Sequence, residues 1–255
     1  MNNKIHKKNK NSSVVILIII AIVVIMGLFL LFRPYYKIKN RVGNIKKFTS
    51  TNVSDKPLGW LRVQGTNIDF PIFYYNDVKD IGNPEYDLGW SFDNNRKLTN
   101  RTVILSHNMR NVSNKPLIAD KNHARFEQLM SYIYYDFVKD NKYIQYTIDG
   151  KNYLFKIYAI YLQEEDNLEL HNIDKKTVNN YIKDAKANSY FDFDVDVNKN
   201  DKLLTLVTCT RFYGDSDYSF VVDARQVRNL EMINNYKVSE NKSYKSIKKT
   251  LKGDD

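Results

Sequence analysis

The chain has 255 residues, enough for one domain near 200 residues or two small ones. Its formal charge of +10 suggests a nucleic-acid or anionic partner, but the distribution of that charge excludes a basic binding face on the bulk of the chain. Ten of the 39 basic residues precede Asp55 and no acidic residue does, so from Asp55 onward the remaining basic residues balance the 29 acidic ones.

Residues 1–13 hold four lysines and read as a cytoplasmic basic tail. Val14 to Phe32 follow, nineteen residues without a charge and almost all Ile, Val, Leu and Phe. At 1.5 Å rise per residue, a helix of that length roughly spans a ~30 Å hydrocarbon core. The preceding lysines favour an N-terminus kept inside, and no small-x-small cleavage site stands near the end of the run. The expectation is an uncleaved signal-anchor, a single pass through the cell membrane with the rest of the chain extracellular.

In residues 33–56, Ile38, Val42, Ile45 and Phe48 recur at helical spacing and predict a juxtamembrane helix, with a polar linker from Thr49. The main domain is read as 57–236. Gly59 to Val63 and Ile68 to Ile72 form two short strands around a Gly65-Thr66-Asn67 turn. Residues 76–97 are loop-rich, and Thr102 to Ser106 is a strand ending at His107-Asn108. Phe126, Leu129, Met130 and Ile133 space a helix of about three turns. Tyr143 to Ile148 and Tyr153 to Tyr161 flank Asp149-Gly150, a strong hairpin signal.

Asp174 is expected to cap a helix carrying Val178, Tyr181, Ile182 and Ala185. Asp192, Asp194 and Asp196 imitate the start of a calcium loop, but Val197 and Leu203 stand where it needs glycine and glutamate, so a strand with an acidic outer face is the simpler reading. Leu203 to Cys209 and Tyr218 to Val222 are two apolar strands joined by a polar loop. Arg228 to Tyr236 reads as a short helix, and 237–255, rich in Lys and Ser, as a disordered tail. Successive antiparallel strands without βαβ alternation give a mainly β fold, a barrel or a sandwich.

Cys209 is the only cysteine. In an exported chain it is an intermolecular bridge, a buried bystander or a reactive thiol, and taken alone the bystander is the simplest. Of the four histidines, His6 precedes the apolar run, and His123 and His171 lie in polar stretches. His107 stands where a buried strand gives way to a loop, as Cys209 does, and two strand ends at one rim can pair a thiol with its base.

These residues also carry a resemblance. Thr205-Leu206-Val207-Thr208-Cys209-Thr210 resembles the Thr-Leu-x-Thr-Cys signature of sortases, and Val103-Ile104-Leu105-Ser106-His107-Asn108 resembles their histidine motif. Gly59-Trp60-Leu61 with Gly65 to Pro71 is similar to the opening of class B sortases, as is a helix inserted between the hairpin and the cysteine strand. The similarity runs from about Pro57 to Val227. It implies a sortase-like eight-stranded β-barrel with inserted and N-terminal helices, and a transpeptidase on the outer face of a Gram-positive membrane. Such an enzyme cuts a C-terminal sorting motif of a secreted protein and joins its threonine carbonyl to a peptidoglycan amine. By the resemblance, Cys209 forms the thioacyl enzyme, His107 moves the protons, and an arginine stabilises the oxyanion; no metal or organic cofactor is implied.

The sequence departs from the class B pattern at that arginine, because Ser219 occupies its place before Phe220-Val221-Val222. Arg211, two residues past Cys209, is the expected substitute, with Arg110 and Arg225 as alternatives. Asn108, Thr208, Thr210 and Ser219 are the expected substrate-binding residues. Two other functions fit the same residues: a pilin polymerase with a lysine acceptor, and a non-catalytic sortase-like surface scaffold.

Overall fold

The computed structural model describes residues 14–28, 57–75, 89–108, 126–210, 212–213 and 218–252. The chain divides into two units, Met1–Val53 and Ser54–Asp255. In the first, residues 14–28 form a helix, α1, whose large apolar side chains are all exposed. Among the described residues no helix is long and apolar enough to cross a membrane; α1 covers fifteen residues of the uncharged run, and residues 29–32 lie outside the described part. The expected juxtamembrane helix also lies outside it.

The second unit is built on strands β1 (Gly59–Val63), β2 (Asp69–Tyr74), β3 (Gly89–Ser91), β4 (Arg101–Leu105), β5 (Tyr143–Ile148), β6 (Lys151–Glu164), β7 (Phe191–Phe193), β8 (Leu203–Thr210), β9 (Tyr218–Gln226) and β10 (Val238–Glu240). Eight of them close into a barrel in the order β1-β2-β3-β4-β8-β9-β6-β5, and β7 pairs with β10 in a separate two-stranded sheet. Closure pairs the strand edges that an open sheet would expose. The barrel interior is filled by Leu61, Ile72, Ile104, Leu204, Leu206 and their neighbours, all at or near zero exposure. The hairpin between β5 and β6 turns at Asp149 and Gly150, which take φ values of 52° and 68°, as a two-residue hairpin loop of this sequence requires.

The sheet is mixed rather than wholly antiparallel. β3 lies parallel to β2, and β8 parallel to β4. Parallel neighbours need crossover connections, and the chain supplies them with residues 75–88 and with the long excursion from 106 to 202. That excursion contains the 3-10 helix Phe126–Ile133, where an α-helix was expected, then the short α2 (Tyr135–Val138), the hairpin, and α3 (Val178–Asn188). All eight residues of the 3-10 segment are buried. The α3 helix buries Val178, Ile182 and Ala185, the stripe its spacing predicts. Asp174 caps the turn before α3 instead of the helix itself, its Oδ1 accepting from the Lys176 and Thr177 amides at 2.9 Å.

Two expectations at the C-terminal end are corrected. Residues 228–236 form an extended loop and not a helix. The stretch from 237 is not a disordered tail: it forms β10 and then α4 (Lys242–Lys252). Tyr244, Ile247 and Leu251, at i, i+3 and i+7, are 5–7% exposed against the core, and Asn241 Oδ1 caps the helix by accepting from the Tyr244 amide at 3.1 Å. The lysines dominate the composition, but three apolar residues on one face are enough to dock an eleven-residue helix.

Candidate active site

Cys209 lies one residue from the C-terminal end of β8, and its position follows from strand alternation. Along β8, Thr205, Val207 and Cys209 face outward, while Leu204, Leu206, Thr208 and Thr210 face the barrel interior. Cys209 is exposed. Thr208 and Thr210 are 2% and 3% exposed, on the opposite face from the thiol. Thr208 Oγ1 donates to the Ser106 carbonyl at 2.8 Å, and Thr210 Oγ1 accepts from the Phe212 amide at 3.1 Å. Both therefore brace the strand ends around the cysteine.

His107 is placed by register. Leu105 pairs with Val207 in the parallel β4–β8 ladder, and the Ser106 amide donates to the Val207 carbonyl at 3.4 Å. The ladder ends there, and two residues further along each chain stand His107, past the end of β4, and Cys209, on the same rim of the barrel. The His107 ring packs against Trp90, centroids 4.8 Å apart and tilted 59°. The His107 carbonyl accepts from the Phe126 amide at 3.1 Å, which fixes the loop after β4 onto the buried 3-10 segment. Asn108, the next residue, is half-buried.

Ser219 is the cross-strand partner of Cys209 on β9 and is 3% exposed. Arg211 and Arg110 lie outside the described residues. Arg225 is not at the site: it pairs with Leu203 at the other end of β9, and its guanidinium grips Glu231 with bonds of 2.5 and 2.7 Å. Burial pushes the Cys209 thiol up, and the nearby Glu165 carboxylate adds to the effect.

A cleft of about 290 Å³ lies against β6 and β9, lined among others by Gln163, Asn167, Leu168, Tyr161, Tyr181 and Val221, with Cys209 outside its lining. Gln163 pairs with Ser219, and Tyr161 with Val221, so the cleft continues along the same outer face as the thiol. Its far wall is the excursion from Glu164 to Asn188.

That wall rests on a buried polar cluster that sequence reasoning missed. Asp223 is fully buried, and its carboxylate accepts from Thr205 Oγ1 at 2.5 Å, Tyr181 Oη at 2.8 Å and Tyr161 Oη at 3.0 Å. Arg101 is 2% exposed and stacks over the Tyr181 ring at 4.2 Å. It donates to Thr205 Oγ1 at 2.9 Å and to the carbonyls of Glu169 and His171 at 2.8 and 3.2 Å. Burial pushes the Asp223 carboxyl above the ordinary carboxylate range, against the pull of Arg101. The available signal was an aspartate inside the apolar run of β9 and an arginine opening the apolar β4, both on outward-facing positions.

Comparison with known proteins agrees with this geometry. A family model described as a sortase domain matches residues 61–227. Sortase B of Listeria monocytogenes is 26% identical over 163 residues, covering 60% of this chain and 62% of that protein, less than two thirds of its length. Sortase B of Staphylococcus aureus is 20% identical over 182 residues, covering 67% of this chain and 70% of that protein. The X-ray structure of Clostridium perfringens sortase B superposes with a TM-score of 0.56 at 25% identity, covering 73% of this chain and 99% of that one. A Staphylococcus aureus sortase B-substrate complex has the same fold, with a TM-score of 0.54 at 16% identity, covering 76% of this chain and 94% of that one. With a sortase model matching well over half of its length and a barrel that presents a thiol and an imidazole at one rim, the chain belongs to the sortase family.

Proposed function

We propose that this chain is a membrane-anchored, extracellular class B cysteine transpeptidase, which cuts a sorting motif in a secreted protein and transfers the acyl fragment to a cell-wall amine. The observation that supports the reading is the β4–β8 register, in which Leu105 pairs with Val207, two residues before His107 and an exposed Cys209. In the first step the Cys209 thiol gives its proton to His107 as its sulfur attacks the threonine carbonyl of the motif. The C–N bond breaks, His107 protonates the departing amine, and a thioester remains. In the second step an incoming amine gives a proton to His107 and attacks the thioester, releasing the product amide and the thiol. Arg211 is assigned to the oxyanion as the cation nearest Cys209 in the sequence, standing in for the arginine that Ser219 replaces.

The cleft against β6 and β9 has a mixed polar and apolar lining that suits an extended peptide. Among the neighbours of the same fold, one is a complex with substrate and one a sortase B complexed with triglycine, which supports a peptide donor and a glycine-like amine acceptor. The uncharged run from Val14 to Phe32 supports the anchor and the outward placement of the barrel.

The test is mass spectrometry of the chain after exposure to candidate sorting peptides. The reading expects an acyl adduct on Cys209, released by an added glycine peptide as a new amide and absent from Cys209→Ala. Peptide turnover by Cys209→Ala at the wild-type rate overturns it.

A further inference from the structure

The loop between β9 and β10 holds three large apolar side chains in solvent. Leu230 is fully exposed, and Met232 and Ile233 are 78% and 68% exposed. Elsewhere in the described part of the barrel unit, the exposed large hydrophobic residues are the isolated Tyr75 and Tyr213. The loop is firmly held. Glu231 accepts from both guanidinium nitrogens of Arg225, at 2.5 and 2.7 Å, from Lys156 Nζ at 2.7 Å and from the Arg228 amide at 2.9 Å. Lys142 Nζ donates to Asn235 Oδ1 and the Tyr236 carbonyl at 2.5 Å each, and Tyr143 Oη donates to the Asn234 carbonyl at 2.6 Å. Leu230 adopts φ 64°, a left-handed conformation that a branched side chain disfavours. The fold therefore fixes these side chains outward instead of letting them collapse onto the barrel.

Strand directions locate the loop. β9 pairs Ser219 with Cys209 at one end and Arg225 with Leu203 at the other, so the loop leaves the barrel at the end opposite the nucleophile. The ladders β8–β9, β9–β6, β6–β5 and β5–β1 are all antiparallel. β1 therefore runs in the direction of β8, and the chain enters the barrel, at Gly59, on that same end. Gly59 and the loop that carries Leu230, Met232 and Ile233 therefore share one end of the barrel.

We propose that this loop dips into the lipid surface and seats the barrel with its Cys209 rim facing away from the membrane; the inference rests on the membrane-anchor reading above. A protruding tip suits a bilayer, where a protein partner would call for a groove or a flat patch. Its chemistry fits as well. The one charge among the apolar tips, Glu231, is neutralised by Arg225 and Lys156, and the flanking Asn234 and Asn235 are uncharged.

The experiment uses residues 54–255, whose barrel closes on itself and whose core residues all lie within that unit. Ile233→Trp is mixed with phosphatidylglycerol vesicles, with and without brominated acyl chains. The expected result is a blue-shifted emission quenched by bromine, over a constant background from Trp60 and Trp90, which are each 8% exposed. The triple variant Leu230→Ser/Met232→Ser/Ile233→Ser is expected to partition at least tenfold more weakly with peptide turnover in solution unchanged. Emission that neither shifts nor quenches, a triple variant that partitions like the wild type, or a dimer that the triple variant abolishes each overturns the proposal. The unit lacks the uncharged run, so failure of the anchor cannot mimic these outcomes; alkaline extraction of the full chain from membranes tests the anchor separately.

Discussion

Removing the Asp223 carboxylate should unfasten the wall of the cleft against β6 and β9 and measurably weaken the whole barrel. In Asp223→Ala three buried hydroxyls, from Thr205, Tyr161 and Tyr181, lose their acceptor, and Arg101 loses the opposite charge beside it. Each orphaned buried polar group costs about 1–3 kcal/mol. Tyr181 and Thr205 lie 3.3 Å apart and can bond each other, which offsets part of that loss. An uncompensated buried cation adds to it, and breaking such a pair typically costs about 3–5 kcal/mol. Relief of the carboxylate's own desolvation works the other way, so a net loss of about 3–5 kcal/mol is expected. Urea melts of residues 54–255 give the value directly. A double-mutant cycle with Arg101→Met and Asp223→Leu isolates the pair, and a coupling of about 1–2 kcal/mol is expected for residues in one network. The pH dependence supplies an independent check. The folded carboxyl titrates above its ordinary value, so its contribution is complete below that value and is lost as pH rises through the folded one. The stability gap between wild type and Asp223→Asn should therefore narrow as pH rises. Additivity in the cycle to within ~0.5 kcal/mol would refute the reasoning.

Three further outcomes are expected. Glu165→Gln removes the carboxylate that adds to the raised Cys209 thiol, and iodoacetamide alkylation at neutral pH should speed up about twofold, the size expected of one partly screened charge. Arg211→Ala should lower the rate of sorting-peptide cleavage by about 10²–10³, the cost of one oxyanion donor, with near-normal turnover removing Arg211 from the mechanism. Leu251→Ala in α4 should destabilise the barrel unit by about 2–3 kcal/mol in chemical denaturation, whereas a disordered tail would leave it unchanged.

What the sequence made legible was whatever repeats at short range. The apolar runs ending at His107 and Cys209, the Asp149-Gly150 turn and the stripe of α3 each declare themselves within a dozen residues, and each forms where expected. The parallel pairing of β4 with β8 was not legible, since about a hundred residues separate the partners and period-two alternation carries no information about direction. The docked α4 was hidden by its lysines, whose stems and charges face solvent while one narrow stripe does the packing. Thr208 and Thr210 were read by adjacency to the thiol, but adjacent residues in a strand point to opposite faces, and both face the barrel interior. The Asp223 cluster was invisible because its five members come from β4, β6, α3, β8 and β9, and only closure of the barrel assembles them.

That assembly explains why one strand carries both the stabilising cluster and the exposed thiol. Thr205, Val207 and Cys209 stand on successive outward positions of β8. The first binds Asp223 and Arg101, the second closes the barrel against Val221, and the third opens to solvent. Arg101 in turn holds the carbonyls of Glu169 and His171, a few residues past the point where the excursion passes the thiol at Glu165. A shift of that segment would change the width of the cleft without moving Cys209, because β8 is fixed by ladder hydrogen bonds on both sides, to β4 and β9. The barrel thus separates two requirements: backbone pairing fixes Cys209, and a buried charge cluster four residues down the strand sets the far wall of the cleft. Substitutions in the cluster that leave the barrel folded should accordingly raise KM for a sorting peptide more than they lower kcat.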